Sequence, residues 1–464
     1  MKYLSVLILA AIMMFGGCKS SDSRPSGSEN DNSENTLQSG ENSANLYEKD
    51  FTGEEEFLDW IQKTHFNYMW EGAEPTSGLA PERIHMDNVY PQNDKEVVTT
   101  GGSGFGIAGI LTAIHRGFIP RQEGVERLTK IVDYLGKADR FHGVWPHWIN
   151  GPTGKVVPFG EKDNGGDLVE SSFLMASLIA AREYFKDGNE SEKQLAANID
   201  KLWREMEFDW YTKGGEDVLY WHWSPNYGWE MNFPLEGYNE CLITYILGAS
   251  SPEHSIPASA YHKGWARNGD IVTNAKFMGY PLILKHNGAE TTGGPLFWSH
   301  YSWIGLDPRN LKDQYADYWE LNKNHALTNY LYSVQNPKGY KGYGEDSWGL
   351  TASYSPEGYS AHAPNNDLGV ITPTAALSSF PYVPEHSMAA AKNFYNKGER
   401  YRGKYGFYDA FSDEKNWVEP HYLAIDQLTI APMIENYRSG LIWNLFMNAP
   451  EIQQGLNKLG FTKQ

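Results

Sequence analysis

Between Phe51 and Met447 the sequence repeats one signal, apolar residues spaced three and four apart over several helical turns at a time. The stretches "EEEFLDWIQKTHFNYMW", "GFGIAGILTAIHRGF", "GVERLTKIVDYLGKA", "DLVESSFLMASLIAAREYF", "EKQLAANIDKLWREMEF", a run near Asn239 to Leu247, "DQYADYWELNKNHALTNYLYSV", "EHSMAAAKNFYNKG" and "ENYRSGLIWNLFM" all carry it. With shorter segments the helices number about a dozen. No strand alternates with them in a βαβ order, and strand signals are confined to short hairpins such as "GVWPHWINGPTGKVV". Such a chain buries its apolar faces helix on helix. The pattern predicts an all-α fold, an (α/α)6 toroid of paired inner and outer helices with long loops and short β-hairpins gathered at one end.

Loops as long as these, inside one compact body, are usually where function sits. Aromatics make up 14% of the chain, with 16 Trp and 29 Tyr, and many fall in polar, glycine-rich loops outside the periodic runs. Flat rings with a polar edge suit stacking on sugar faces and also suit protein interfaces. The net charge of −19 argues against nucleic acid, whose phosphates call for clustered Lys and Arg. It fits a neutral or cationic ligand, or the solubility of an exported protein.

The N-terminal "MKYLSVLILAAIMMFGGC" sets a positive Lys2, an apolar run and small residues before Cys18. Residues 1–17 are expected to be a lipoprotein signal peptide, too short to span a membrane, with Cys18 lipidated and anchoring the protein to a membrane. The expected location is the periplasmic or outer-membrane face. Residues 18–47, rich in Ser, Asn, Glu and Gly, are expected to be a disordered tether, and 48–464 a single catalytic domain. Cys241 is the only other cysteine, so no internal disulfide forms once Cys18 is lipidated.

Carboxylates concentrate in these loops. Asp163, Asp167 and Glu170 stand together in "EKDNGGDLVESSFL", where Asp167 and Glu170 have the spacing of a capping box. On one helix face their stems would lie about 5 to 6 Å apart, so repulsion could also raise one pKa. Cleaving an acetal needs two positioned carboxyls, one kept neutral to protonate the leaving oxygen and one to activate water or attack. Either role, cap or catalyst, is open to these three.

Glu240, at the end of "EGYNE", could complement a helix dipole or act as an acid. It follows the ring-rich segment "YWHWSPNYGWEMN", which holds Trp221, Trp223, Tyr227 and Trp229. Trp298 and Trp303 in "GGPLFWSHYSWIGLDP", and Trp348, Tyr359 and His362 in "YGEDSWGLTASYSPEGYSAHAP", extend the set of candidate substrate-binding residues. Some of these rings would be core instead. "AIDQ" adds Asp426.

Other chemistries find little support. No His-Glu-x-x-His helix occurs, and His142 and His147 lie on the apparent hairpin, so no metal or other cofactor is expected. "GGSGFGIAG" follows no predicted strand and is expected to be a loop entering a helix rather than a nucleotide-binding turn. The same glycines come nearest to a "GxSxG", but Phe105 stands at its last position and no elbow pattern surrounds it.

Taken in order, "NGGDLVESSFL", "WHWSPNYGWEMN", "GGPLFWSHYSWIGLDP", "WGLTASYSPEGYSAHAP", "GVITPTAALSSFPY" and "YLAIDQLTIAPMIENYRSGL" resemble the bacterial glucoamylase-like family, which is similar to glycoside hydrolase family 144. The resemblance covers the body from about Phe51 to Met447. It implies an (α/α)6 toroid that cleaves β-1,2-glucan, internally or by releasing sophorose, with inversion and without a metal. It also implies an acidic pocket of Asp163, Asp167, Glu170, Glu240 and Asp426. An inverting pair stands about 6.5 to 9.5 Å apart, so Asp167 and Glu170 need a partner from another helix. A hydrolase of another glucan, a polysaccharide lyase and a non-catalytic glycan-binding lipoprotein are the other readings.

Overall fold

The computed structural model describes residues 45–463. The expected signal peptide, Cys18 and most of the expected tether lie outside the described residues. The expected tether does end early: helix α1, Leu46–Asp50, starts on Asn45, whose side chain accepts from the Glu48 amide. Tyr47 is already packed, edge-on to Phe57 at 5.1 Å. No helix among the described residues is long and apolar enough to cross a membrane.

Thirteen more α-helices follow: α2 Glu54–Trp70, α3 Thr100–His115, α4 Arg121–Leu135, α5 Leu168–Phe185, α6 Glu190–Arg204, α7 Leu242–Ser250, α8 Tyr318–Gln335, α9 Pro373–Leu377, α10 Pro384–Asn396, α11 Ala424–Gln427, α12 Ile430–Arg438, α13 Leu441–Met447 and α14 Pro450–Lys458. Their composition decides their depth. In α3, α5 and α7 nearly every residue is buried, because "TGGSGFGIAGILTAIH", "LVESSFLMASLIAAREYF" and "LITYILGAS" have no charged face. By contrast α4 and α6 bury one stripe each, and α6 opens on a complete capping box between Asn189 and Glu192.

The most extensive helix packing is α3 on α5. Glycines make it possible. A Cβ on Gly104 would lie 2.5 Å from the Leu174 Cα, and one on Gly106 would lie 2.6 Å from Met69 Cγ. The stretch "GGSGFGIAG" is therefore the helix itself, not a loop, and a strand, Val97–Thr99, does precede it. Its glycines serve close approach to α2 and α5.

Two other expectations change. "ENYRSGLIWNLFM" makes two helices, broken where Gly440 takes φ 72° between α12 and α13. Strands are not only local hairpins. Trp148–Asn150 does pair with Val156–Val157 as expected, and also with Val97–Thr99. Arg83–His85, however, pairs with His421–Leu423, and Gly166–Asp167 with His222–Trp223. These two-stranded contacts leave almost no alternating pattern in the sequence, so nothing local announces them. They bring distant loops to the N-terminal ends of α3, α5 and α11.

Candidate active site

Asp167 begins the site. It caps α5, its Oδ1 accepting from the amides of Val169 and Glu170 at 3.0 and 2.9 Å. The same oxygen accepts from the Trp221 indole at 2.9 Å, while Oδ2 meets His147 Nδ1 at 3.0 Å. Burial would raise its pKa, but the His147 hydrogen bond and the charges of His222 and His147 outweigh it and hold Asp167 below the usual range. Both of its oxygens accept hydrogen bonds, so it works as an ionised anchor. The capping box is only half made. Glu170 does not reach back; its Oε2 accepts the Gly101 amide of α3 at 2.8 Å, and the Asp167 amide goes to the Trp145 carbonyl.

Glu170 is therefore a buried carboxyl at the α3–α5 contact, and burial pushes its pKa up to about 8. Burial disfavours the charge of His147 too, yet Glu170, Asp167 and Asp163 together hold that imidazole at about 10. Asp163 is raised by burial, with His222 Nε2, 3.3 Å from its Oδ2, pulling the other way. One ligand atom from each of His147, Asp163 and Asp167 lies within 4.8 Å of the others, a spacing that could hold a cation. Here the carboxylate oxygens are taken by the two imidazoles.

Glu240 precedes α7 and is only partly buried. Enclosure of its carboxyl raises it to about 7, against the Trp298 indole that faces it. Ser302 fixes the Glu240 backbone by donating to its carbonyl. Asp426, on α11, is buried and lies well above the carboxylate range through burial and then through Asp409. Its Oδ1 accepts from the Tyr301 and Tyr359 hydroxyls, each at 3.3 Å. Tyr301 also feels Glu170 and Glu240, so three protonated-leaning carboxyls surround one phenol.

Of the expected rings, Trp221, Trp223, Tyr227, Trp229 and Tyr359 are half-buried; Trp221 reaches Asp167 and Tyr359 reaches Asp426. Trp223 and Trp229 pack around Trp210, which is 38% exposed and stacks on His142 at 3.6 Å. Tyr227 donates to Glu161 at 3.3 Å. Trp303 and Trp348 are not platforms: both are fully enclosed, their indole N–H groups anchored to the carbonyls of Trp298 and His386. His362 is likewise fully buried and cannot meet a sugar. Trp298 is only 5% exposed and belongs to the core.

Sequence reasoning missed several members of the pocket. Buried Glu82 and Arg83 enter from the strand Arg83–His85; Arg83 donates to Asp94 and to the Tyr354 hydroxyl, both at 2.7 Å. Asp409 is fully buried, accepts the Tyr354 amide at 2.8 Å and is raised by burial to about 6. Its only sequence signal is an acid isolated in the aromatic run "YGFYDAF".

Residues 232–450 match the family model described as "Putative glucoamylase". The chain is 61% identical to an endo-β-1,2-glucanase from Chitinophaga pinensis, solved with sophorotriose and glucose, covering 88% of this chain and 98% of that one with a TM-score of 0.87. It is 44% identical to a β-1,2-glucanase from Parabacteroides distasonis, covering 88% of this chain and 60% of that one with a TM-score of 0.83. It is 46% identical, over 88% of its length, to an exo β-1,2-glucooligosaccharide sophorohydrolase (non-reducing end) from Parabacteroides distasonis. The chain spans 58% of the length of that curated relative.

Proposed function

The chain belongs to the bacterial glucoamylase-like family, of the glycoside hydrolase family 144 type, and on that footing we propose that it hydrolyses β-1,2-glucan or its oligosaccharides with inversion. The observation that carries the chemistry is the grouping of Glu170, Glu240 and Asp426 around the Tyr301 hydroxyl, all three held toward the protonated state. A glycosidase needs a neutral carboxylic acid near neutral pH, and enclosure supplies it. Relatives that act on β-1,2-glucan support the substrate. The alternation of enclosed α3, α5 and α7 with one-sided α4 and α6 supports the (α/α)6 toroid.

Glu240 is the proton donor in this reading, because it alone of the three is only partly buried. Asp426, aimed by two tyrosines, is the base: enclosure and Asp409 favour its protonated form, and in its ionised form it receives the proton of the attacking water. As the water oxygen bonds to the anomeric carbon from one face, the bond to the glycosidic oxygen breaks on the other and that oxygen takes the Glu240 proton. Trp221, Trp223, Tyr227, Trp229 and Tyr359 supply the stacking surface. Asp163 and Asp167, paired with His222 and His147, shape the pocket wall.

The test is the product profile from linear β-1,2-glucan beside starch and a β-1,3-glucan, with the anomeric configuration of the first product read by NMR. A single disaccharide identifies exo action and a ladder identifies internal cleavage; retained configuration, or glucose from starch alone, overturns the reading. The N-terminal sequence supports an exported lipoprotein anchored through Cys18. Loss of fatty-acid labelling in Cys18→Ala checks it.

A further inference from the structure

Among the buried polar side-chain atoms of the described residues that lack partners, four are carboxylate oxygens: those of Glu82, Asp94, Asp409 and Asp426. Glu82 Oε2, Asp409 Oδ1 and Asp426 Oδ2 are all buried, all carboxylate oxygens and all unpaired, and they belong to one wall of the pocket. Asp409 and Asp426 lie within hydrogen-bonding reach of each other. The remaining oxygen of each is already fixed: Asp409 Oδ2 by the Tyr354 amide, Asp426 Oδ1 by the Tyr301 and Tyr359 hydroxyls. Two ionised carboxylates offer each other no donor, so both facing oxygens would stay orphaned in a buried site. One proton between them satisfies both.

We infer that Asp409 is a positioning residue of the proposed hydrolysis, forming with Asp426 a carboxyl–carboxylate pair that holds a single proton and aims it. This rests on the reading of Asp426 as the group that receives the proton of the attacking water. When that proton arrives at Asp426, the shared proton moves onto Asp409. The water oxygen bonds to the anomeric carbon, and the glycosidic oxygen leaves with the Glu240 proton. The pair is then doubly protonated and Glu240 ionised; release of one proton to solvent and uptake of one by Glu240 restore the starting state.

The surroundings confine the pair's charge to one. Glu82 faces Asp426 from the strand Arg83–His85, and neighbouring Arg83 reaches Glu82 only at 3.9 Å while engaged by Asp94 and Tyr354. Glu419 and His421, themselves in contact, face Asp409 from the strand side, and Tyr68 faces it from α2. Tyr359 and Tyr354 close the hairpin side, and Tyr301, beside Glu170 and Glu240, closes the other. A second negative charge on the pair would meet Glu82 and Glu419 with only His421 to offset it.

The test is Asp409→Asn. In the pair Asp409 already donates its proton to ionised Asp426; an amide there is the weaker donor and cannot take up the shared proton, so Asp426 is protonated at higher pH than in the pair. The acidic limb of the kcat profile on β-1,2-gluco-oligosaccharides is then expected to move to higher pH, kcat at the optimum to fall roughly tenfold or more, and KM to change little. A merely structural residue would change stability or KM and leave the limb in place, which would overturn the inference. Difference infrared spectroscopy of the full chain supplies a readout independent of substrate: one protonated-carboxyl band at neutral pH should vanish in Asp409→Asn and in Asp426→Asn alike. Persistence of that band in either folded variant also overturns it. Wild-type protein inert on every β-1,2-glucan would instead remove the functional reading, and the infrared result would still decide the pair.

Discussion

Glu240 and Glu170 are both held toward the neutral form by enclosure, yet only Glu240 is partly exposed. Replacing Glu240 with Gln should cut turnover by about 10²- to 10⁴-fold while oligosaccharide binding, measured by calorimetry, is retained. A comparable loss of affinity would place Glu240 in binding alone. The pH dependence has a fixed sign: the donor must be protonated, so activity should fall as pH rises through about 7. A profile flat to pH 9 or so would assign the donor elsewhere, since ionisation is complete about two units above a pKa. At this scale the sequence was partly legible. Asp167 and Glu170 declared themselves because helix starts have a pattern. Asp409 did not, since an acid buried among rings has no periodic neighbour to mark it. Trp303 and Trp348 looked like Trp221 because loop aromatics carry no record of which way they face.

Helices α3 and α5 meet through absent side chains. Ala is favoured over Gly in a helix by about 1 kcal/mol, so propensity alone predicts that Gly104→Ala stabilises. The contact with Leu174 backbone predicts the reverse, a loss of roughly 1–3 kcal/mol, because backbone cannot move aside as a flexible side chain can. Urea denaturation of the two proteins decides between them. Gly101→Ala should behave differently, losing activity as well, since its Cβ would collide with the Glu170 carboxylate. A kcat unchanged in that variant would show that Glu170 tolerates displacement. Helix existence was legible in nearly every periodic stretch. Boundaries and strand pairings were less so: Gly440 splits one pattern into α12 and α13, and two- or three-residue strands are too short to show a period.

Across the whole molecule, buried ionisable groups pull stability in opposite directions. Burial lowers His65, His325 and His362 to about 4 and His300 to about 3, so unfolding takes up protons there and stability falls as pH drops below about 6.5. Glu170 and Glu240, raised to about 8 and 7, and His147, raised to about 10, do the opposite: unfolding releases their protons, and stability falls as pH climbs from their unfolded values through those pKa values. Below about pH 6.5 the carboxyl and histidine slopes offset each other; above it only the declining ones remain. Calorimetric melting temperatures should therefore peak near pH 6.5 and decline toward pH 10, and a rise above about pH 8 would contradict these assignments. Fold class followed from helical periodicity, whereas the way distant loops share one pocket was written nowhere locally.

The pairing of Arg83–His85 with His421–Leu423 sets when the pocket comes into being. It places Glu82 and Arg83 beside Asp409 and Asp426, groups more than three hundred positions apart along the chain. Contacts of such sequence separation form late in folding, because their loop closes against a large entropy. A ribosome that has released the first three hundred residues would hold half of the described helices and no complete pocket. Competence would thus arrive in a single step once the strand His421–Leu423 has emerged, and two separately expressed halves, each inert, should regain turnover only when they reassemble across that strand pair.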